Sequence, residues 1–215
     1  LSSSSAASDV YKRQVLTYRI AHLMANGVDP YNILSLTFTN KASKEMRERI
    51  EGVVGSDARS LWMGTFHSIF ARILRSEADK LGYPSNFTIY DTDDAKSLIK
   101  SIVKEQGLDE KLYKPNMVLN RISSAKNRLV SWYEYNQQPI YKADDEAAGR
   151  PEIGRLYKIY QERCFRAGAM DFDDLLFNTS LLLKSHADVL LKYQHRFKYV
   201  MVDEFQDTNL AQYYI

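Results

Sequence analysis

Asp203 and Glu204 stand side by side directly after Tyr199-Val200-Met201-Val202, a run that is apolar at every position. A carboxylate at the end of a buried strand is well placed to hold Mg²⁺, usually through water, against the β- and γ-phosphates of a nucleotide, and Asp203 fits that task. The neighbouring carboxylate can orient an attacking water or take its proton, which makes Glu204 the candidate general base. Phe205-Gln206-Asp207-Thr208-Asn209 continues the motif; a plainer reading makes Asp207-Thr208-Asn209 the N-cap of a following helix.

A second cluster, Thr37-Phe38-Thr39-Asn40-Lys41, puts a ring beside hydroxyl, amide and ammonium groups. That combination suits single-stranded DNA, because a base stacks on the ring while the polar groups meet phosphates. The competing reading buries Phe38 and makes Asn40 a helix cap. Gly64-Thr65-Phe66-His67-Ser68 offers the same choice: hydroxyl and imidazole groups on a DNA backbone, or a cap and packing. Asp171-Phe172-Asp173-Asp174-Leu175 is acidic, yet acids in a first helical turn complement the dipole, so capping is preferred to metal binding. Lys41, Lys44, Arg47 and Arg49, interrupted by Glu45 and Glu48, read as a solvated helix face.

The elements that must position these groups follow from the apolar pattern. Ile33 to Thr39, Leu61 to Met63 and Tyr199 to Val202 are short apolar runs, each ending in polar residues. The first two lead into helical spacing, through Ala42, Met46, Ile50 and Val53, and through Ile69, Phe70, Ile73 and Leu74. The third run reads as buried on both faces. This is the grammar of a parallel α/β sheet, in which ligands bind outside the carboxyl ends of the strands, so the polar clusters are expected on one rim. Between the second and third runs the chain reads almost wholly as helix. One helix carries Ala95, Leu98, Ile99, Ile102 and Val103 after Asp91 to Asp94. Another, opened by Pro115, carries Val118, Leu119, Ile122, Ala125 and Leu129. A third, opened by Pro151, carries Ile153, Leu156, Tyr157, Tyr160 and Cys164, and two more follow Asp171 and surround Leu190 and Tyr193. Residues 131–150 read as a mobile loop.

Composition adds exclusions. The 29 basic and 27 acidic residues leave a net charge of +2, so any case for nucleic acid rests on local motifs rather than a basic footprint. Cys164 is the single cysteine, which excludes an intrachain disulfide and suits a reducing cytoplasm. No apolar run approaches the roughly 18 residues of a membrane span. Residues 1–14 are Ser-rich and lack the apolar core of a secretory signal, so they are expected to be a disordered or foreign leader, with order beginning near Val15.

Taken together, the motifs resemble a known family, the UvrD/Rep/PcrA-type superfamily-one DNA helicases. Thr37 to Met46 is similar to motif Ia of that family, Gly64 to Ser68 to motif Ib, Asp171 to Leu175 to a motif near the end of the inserted 1B subdomain, and Val202 to Asn209 to motif II. Their order and spacing agree with the family from Val15 to Ile215. The resemblance implies a RecA-like P-loop NTPase α/β sheet, subdomain 1A, over residues 15–68 and 197–215, interrupted by a mostly helical subdomain 1B over residues 69–196. It implies an ATP-dependent enzyme moving 3′-to-5′ on single-stranded DNA, acting at duplex–single-strand junctions in repair or replication restart. ATP and Mg²⁺ are the implied cofactors, with Mg²⁺ at Asp203, water activation at Glu204 and Gln206 beside the nucleotide. Thr37, Phe38, Thr39, Asn40, Lys41, Thr65, Phe66 and His67 are the implied DNA-facing residues.

Two departures accompany the match. Where the family carries its Gly-rich phosphate loop, this chain reads Ser8-Asp9-Val10-Tyr11-Lys12-Arg13-Gln14; Lys12 is in register with the phosphate-binding Lys, but none of the glycines is present. Side chains there obstruct the close backbone approach that cradles phosphates. The later motifs and the second RecA-like domain are also missing, so the chain is expected to be inactive alone. The competing class is a passive single-stranded-DNA-binding or interaction module without ATPase activity. A helicase–nuclease subunit is a third reading and requires a nuclease domain past Ile215.

Overall fold

The computed structural model describes residues 2–215, with side chains from Gln14 onward. The leader expected over residues 1–14, with Lys12 in it, therefore lies outside the described side chains except at Gln14. In order, the elements are α1 (Ser2–Ala25), β1 (Ile33–Thr37), α2 (Asn40–Val54), β2 (Trp62–Thr65), α3 (Phe66–Glu77), β3 (Thr88–Tyr90), α4 (Thr92–Glu105) and α5 (Pro115–Asn127). They continue with α6 (Trp132–Gln137), α7 (Pro139–Ala147), α8 (Ile153–Arg166), β4 (Ala169–Asp171), α9 (Phe172–Ser185), α10 (Ala187–Arg196), β5 (Tyr199–Val202) and α11 (Leu210–Tyr214). The chain forms two compact units: one runs to Phe70 and resumes over His186–Thr208, the other comprises Ala71–Ser185 and Asn209–Ile215.

The first unit is built on a three-stranded parallel sheet of order β2-β1-β5. Every residue of β1 is buried, because it is the central strand. Its two polar side chains are satisfied internally: Ser35 Oγ donates to Met46 Sδ at 3.4 Å, and Thr37 Oγ1 is shared between the carbonyls of Thr39 and Gly64. Ile20, Ile33, Met46, Ile50, Leu61, Met63 and Met201 form the core under the sheet. Three expectations need correction here. Thr39, not Asn40, caps α2, because its extended backbone lets Oγ1 accept from Ala42 N–H at 3.1 Å. Val53 lies in the last turn of α2 and is 49% exposed. The third strand is not buried on both faces: β5 is the edge of this sheet, and Val200 is 55% exposed.

The second unit packs Ile99, Ile102, Val118, Ile122, Tyr157 and Tyr160 into a core made by α4, α5 and α8. Two parts of it depart from the all-helix reading. Strands β3 and β4 pair in parallel as a separate two-stranded sheet. Residues 131–150, expected as a mobile loop, contain α6 and α7 instead. Ser131 and Glu134 form a capping box at the start of α6, and Pro139 occupies the first turn of α7. Pro151 lies in a turn before α8, and Leu129, placed inward by periodicity, sits past the end of α5 at φ 58°.

Candidate nucleotide and nucleic-acid rim

The strand register decides where the polar clusters lie. Leu36 pairs with Val202 and Thr37 with Thr65, so all three parallel strands of the first unit end at one edge. Thr37-Phe38, Thr65-Phe66 and Val202-Asp203 leave the sheet together there. Asp203 N–H donates to the Leu36 carbonyl at 2.9 Å, which extends the ladder one residue beyond β5 and anchors a carboxylate that is 6% exposed.

At Glu204 the backbone turns sharply. Its φ of 53° and ψ of 47° are left-handed, a region that a side chain bearing Cβ occupies at a strain of about 1–3 kcal/mol. The turn leads into a short 3-10 segment, Phe205–Asp207, in which Asp207 N–H donates to the Glu204 carbonyl at 2.9 Å. The Gln206 side-chain amide donates to the Glu204 carboxylate. Glu204 is half-buried and Gln206 exposed, so one carboxylate is held by the strand end and the next carries the amide of an exposed side chain. Mg²⁺ at a phosphate site is held by one or two carboxylates together with the phosphates themselves, and Asp203 can supply one, so Glu204 beside it is not needed for that task. Among the described residues no three His, Cys, Asp or Glu side chains form a protein-only metal cage.

The remaining rim residues divide by burial. Thr37 is fully buried, and Phe66 is 2% exposed, its ring 5.3 Å from Phe38 and 6.0 Å from Phe70. Both are supports, and a ligand outside the sheet cannot reach them as the side chains stand. Thr65 is buried and caps α3, accepting from Ser68 N–H at 3.2 Å. Phe38 and His67 are half-buried, whereas Thr39, Asn40 and Lys41 are exposed at the start of α2. The basic face of α2 is less solvated than its composition suggests. Lys41 and Lys44 pair loosely with Glu45 and Glu48, but Arg47 turns inward and donates to the Met63 carbonyl at 2.9 Å. Also missed was Arg196, whose guanidinium lies 3.6 Å from the Tyr31 ring and 4.1 Å from the Trp62 ring just ahead of β5. No local pattern announces a stack among residues so far apart in sequence.

A family model described as the UvrD/REP helicase N-terminal domain matches residues 12–215. The chain belongs to that family. ATP-dependent DNA helicase PcrA of Staphylococcus epidermidis is 45% identical over 203 residues, covering 94% of this chain and 27% of the relative. PcrA of Staphylococcus aureus is 44% identical over the same shares of each chain. The chain thus spans about a quarter of the length of the curated relatives it matches. The mixed α/β architecture, with a small parallel sheet and a large helical part, is that of a RecA-like N-terminal helicase region. Among the described residues, no helix is long and apolar enough to cross a membrane.

Within this UvrD/REP-family rim Gly64 has a steric role. A Cβ there would meet Ser68 Oγ at 2.5 Å and Ile69 Cγ1 at 3.3 Å. Gly64→Ala is expected to lower stability by about 1–3 kcal/mol in thermal unfolding, with part recovered on adding Ser68→Ala.

The acidic motif at the start of α9 caps its helix, as its composition suggests, and also carries a buried charge. Asp174 N–H donates to Asp171 Oδ1 at 2.8 Å, and Asp171 N–H donates back to Asp174 Oδ2 at 3.1 Å. Lys126, 1% exposed, puts its ammonium 2.7 Å from Asp171 and 2.8 Å from Asp174, and Tyr160 OH donates to Asp171 at 2.8 Å. Burial resists ionisation of Asp171, but the Lys126 ammonium and its hydrogen bond hold that carboxyl below its usual range. Burial, and then the Asp171 charge, push Asp174 up to about 6 against the pull of the same ammonium. One cation cannot satisfy two carboxylates in a dry site, and Asp171 takes the larger share.

Proposed function

We propose that the first unit is the nucleotide-facing part of an incomplete RecA-like subdomain 1A and the second is chiefly the inserted subdomain 1B. The parent enzyme is an ATP-dependent helicase translocating 3′-to-5′ on single-stranded DNA and duplex junctions in the cytoplasm, in repair or replication restart. One observation carries this reading: Asp203 and Glu204 leave the sheet on the same rim as Phe38 and His67. Asp203, fixed through its own backbone N–H, would hold Mg²⁺ through water, and Glu204 would orient water and accept its proton. A Mg²⁺ held by Asp203 would supply positive charge to offset the charge building on a transferring phosphoryl group. Gln206, donating to Glu204, holds that carboxylate in place.

Phe38, backed by Phe66, offers a stacking face, while Thr39, Asn40 and Lys41 lie at a helix N-terminus whose N–H groups and dipole favour phosphate. His67 and Thr65 border the same strip, and Thr37 and Phe66 act beneath it. The 215-residue polypeptide is expected to show no DNA-stimulated ATP hydrolysis above its Glu204→Gln form, because Ser8 to Gln14 supplies no glycine-lined phosphate cradle. Its binding to single-stranded DNA, read by fluorescence anisotropy, is expected to be weak and to fall steeply with salt. Robust turnover would overturn the account of residues 8–14, and tight salt-independent binding would favour the passive binding module.

A further inference from the structure

The second unit contains a polar connection from its buried charge to Asn209, the last residue of the Val202–Asn209 motif. Asn127, next in sequence to Lys126, donates through Nδ2 to Asp173 Oδ1 at 2.8 Å and to the Ser123 carbonyl at 2.9 Å. Its Oδ1 accepts from Asn209 Nδ2 at 2.6 Å. Asn209 in turn caps α11, its Oδ1 accepting from Gln212 N–H at 2.8 Å while its own N–H donates to Gln212 Oε1 at 3.0 Å. A carboxamide can make this set because it has two donors and an acceptor; a carboxylate at 127 would face Asp173 with no proton between them. Asn127 cannot drift, since the adjacent Lys126 is locked between Asp171 and Asp174.

We infer that Asn127 is a positioning residue: by holding Asn209 it ties the exit of the Val202–Asn209 motif to the buried Lys126–Asp171–Asp174 cluster. The functional meaning of this link rests on the nucleotide reading of Asp203 and Glu204. The link itself does not. Between Glu204 and Asn209 lie only the 3-10 turn and Thr208, whose N–H donates to the Phe205 carbonyl, so loosening Asn209 frees the turn that shapes Glu204.

Amide hydrogen exchange on the whole 215-residue chain, with no nucleotide present, tests this. Asn127→Asp loses both donated bonds and sets a carboxylate against Asp173; its displacement from Asn209 is expected to speed exchange at Asp207, Thr208, Gln212 and Tyr213 about tenfold, the effect on local opening of losing the bond to Asn209, while the β3–β4 amides keep their protection. Adding Asp173→Asn reverses donor and acceptor across that contact, leaves position 127 able to accept from Asn209, and should restore protection. Asn209→Ala removes the bond to Asn127 Oδ1 itself, together with the α11 cap, so at Asp207 and Thr208 its effect should not add to that of Asn127→Asp; it also serves if the Asn127→Asp variant fails to fold. Acceleration confined to Gln212 and Tyr213 would mean that Asn127 merely packs α11 and would overturn the inference, as would no acceleration or no restoration. Because the assay contains no ATP, a negative result leaves the nucleotide reading standing, and failure of that reading leaves this result interpretable.

Discussion

Lys126→Met is expected to destabilise the helical unit by about 3–5 kcal/mol in urea unfolding at pH 7, because it strands two buried carboxylates without their cation. Methionine fills a similar volume, so the loss reports charge rather than a cavity. The deficit should shrink at pH 5, and the sign follows from the two acids. Asp174, with a folded pKa of about 6 against roughly 3.9 when unfolded, contributes stability at low pH that is lost as pH rises toward 6. Asp171, held below its usual range, behaves oppositely: its contribution is present above that range and lost as pH falls through its folded value. Without the ammonium, burial acts unopposed on both, so both take the sign of Asp174 and folding favours their protonated forms. Adding Asp174→Asn to Lys126→Met should recover part of the loss at pH 7. A deficit under about 1 kcal/mol, or one that grows on acidification, would show that the cluster does not carry this charge balance.

How much of this was legible in the sequence depends on the range over which each feature is encoded. The shared rim was legible because three apolar runs ended in polar residues, and parallel pairing brings such ends together whatever the strand order. That order is not local information: β5 looks like an interior strand because Tyr199 to Val202 is apolar throughout, yet among the described residues it pairs on one side alone. Strands β3 and β4 span three residues each, too few for alternation to emerge. The helices over residues 131–150 were obscured by turn-forming composition, although Ser131 with Glu134 and the position of Pro139 are helix-start signals that outweigh the charge of the segment. Lys126 meets Asp171 across 45 positions, and nothing near either residue distinguishes a buried ammonium from a surface one. Phe66 illustrates the converse limit. A Phe beside a His in a strand-end motif suggests a ligand face, and only the packing of Phe38 and Phe70 against it makes Phe66 a support.

The second large effect concerns Glu204. A chimaera in which Val15–Ile215 replaces the matching segment of Staphylococcus epidermidis PcrA would join this rim to the relative's own remaining sequence, a substitution made feasible by 45% identity. With Asp203 and Glu204 in the roles assigned here, the chimaera should hydrolyse ATP when single-stranded DNA is added. Glu204→Gln keeps the size and the left-handed turn but removes the proton acceptor, so kcat should fall roughly 10²- to 10⁴-fold while KM for ATP changes little. Steady-state ATP hydrolysis by this pair of proteins is the most direct measurement. A collapse of kcat in the Glu204→Gln chimaera with KM retained is the predicted result; turnover by that variant at the parent chimaera's rate would contradict the assignment of the rim as a nucleotide-hydrolysing site.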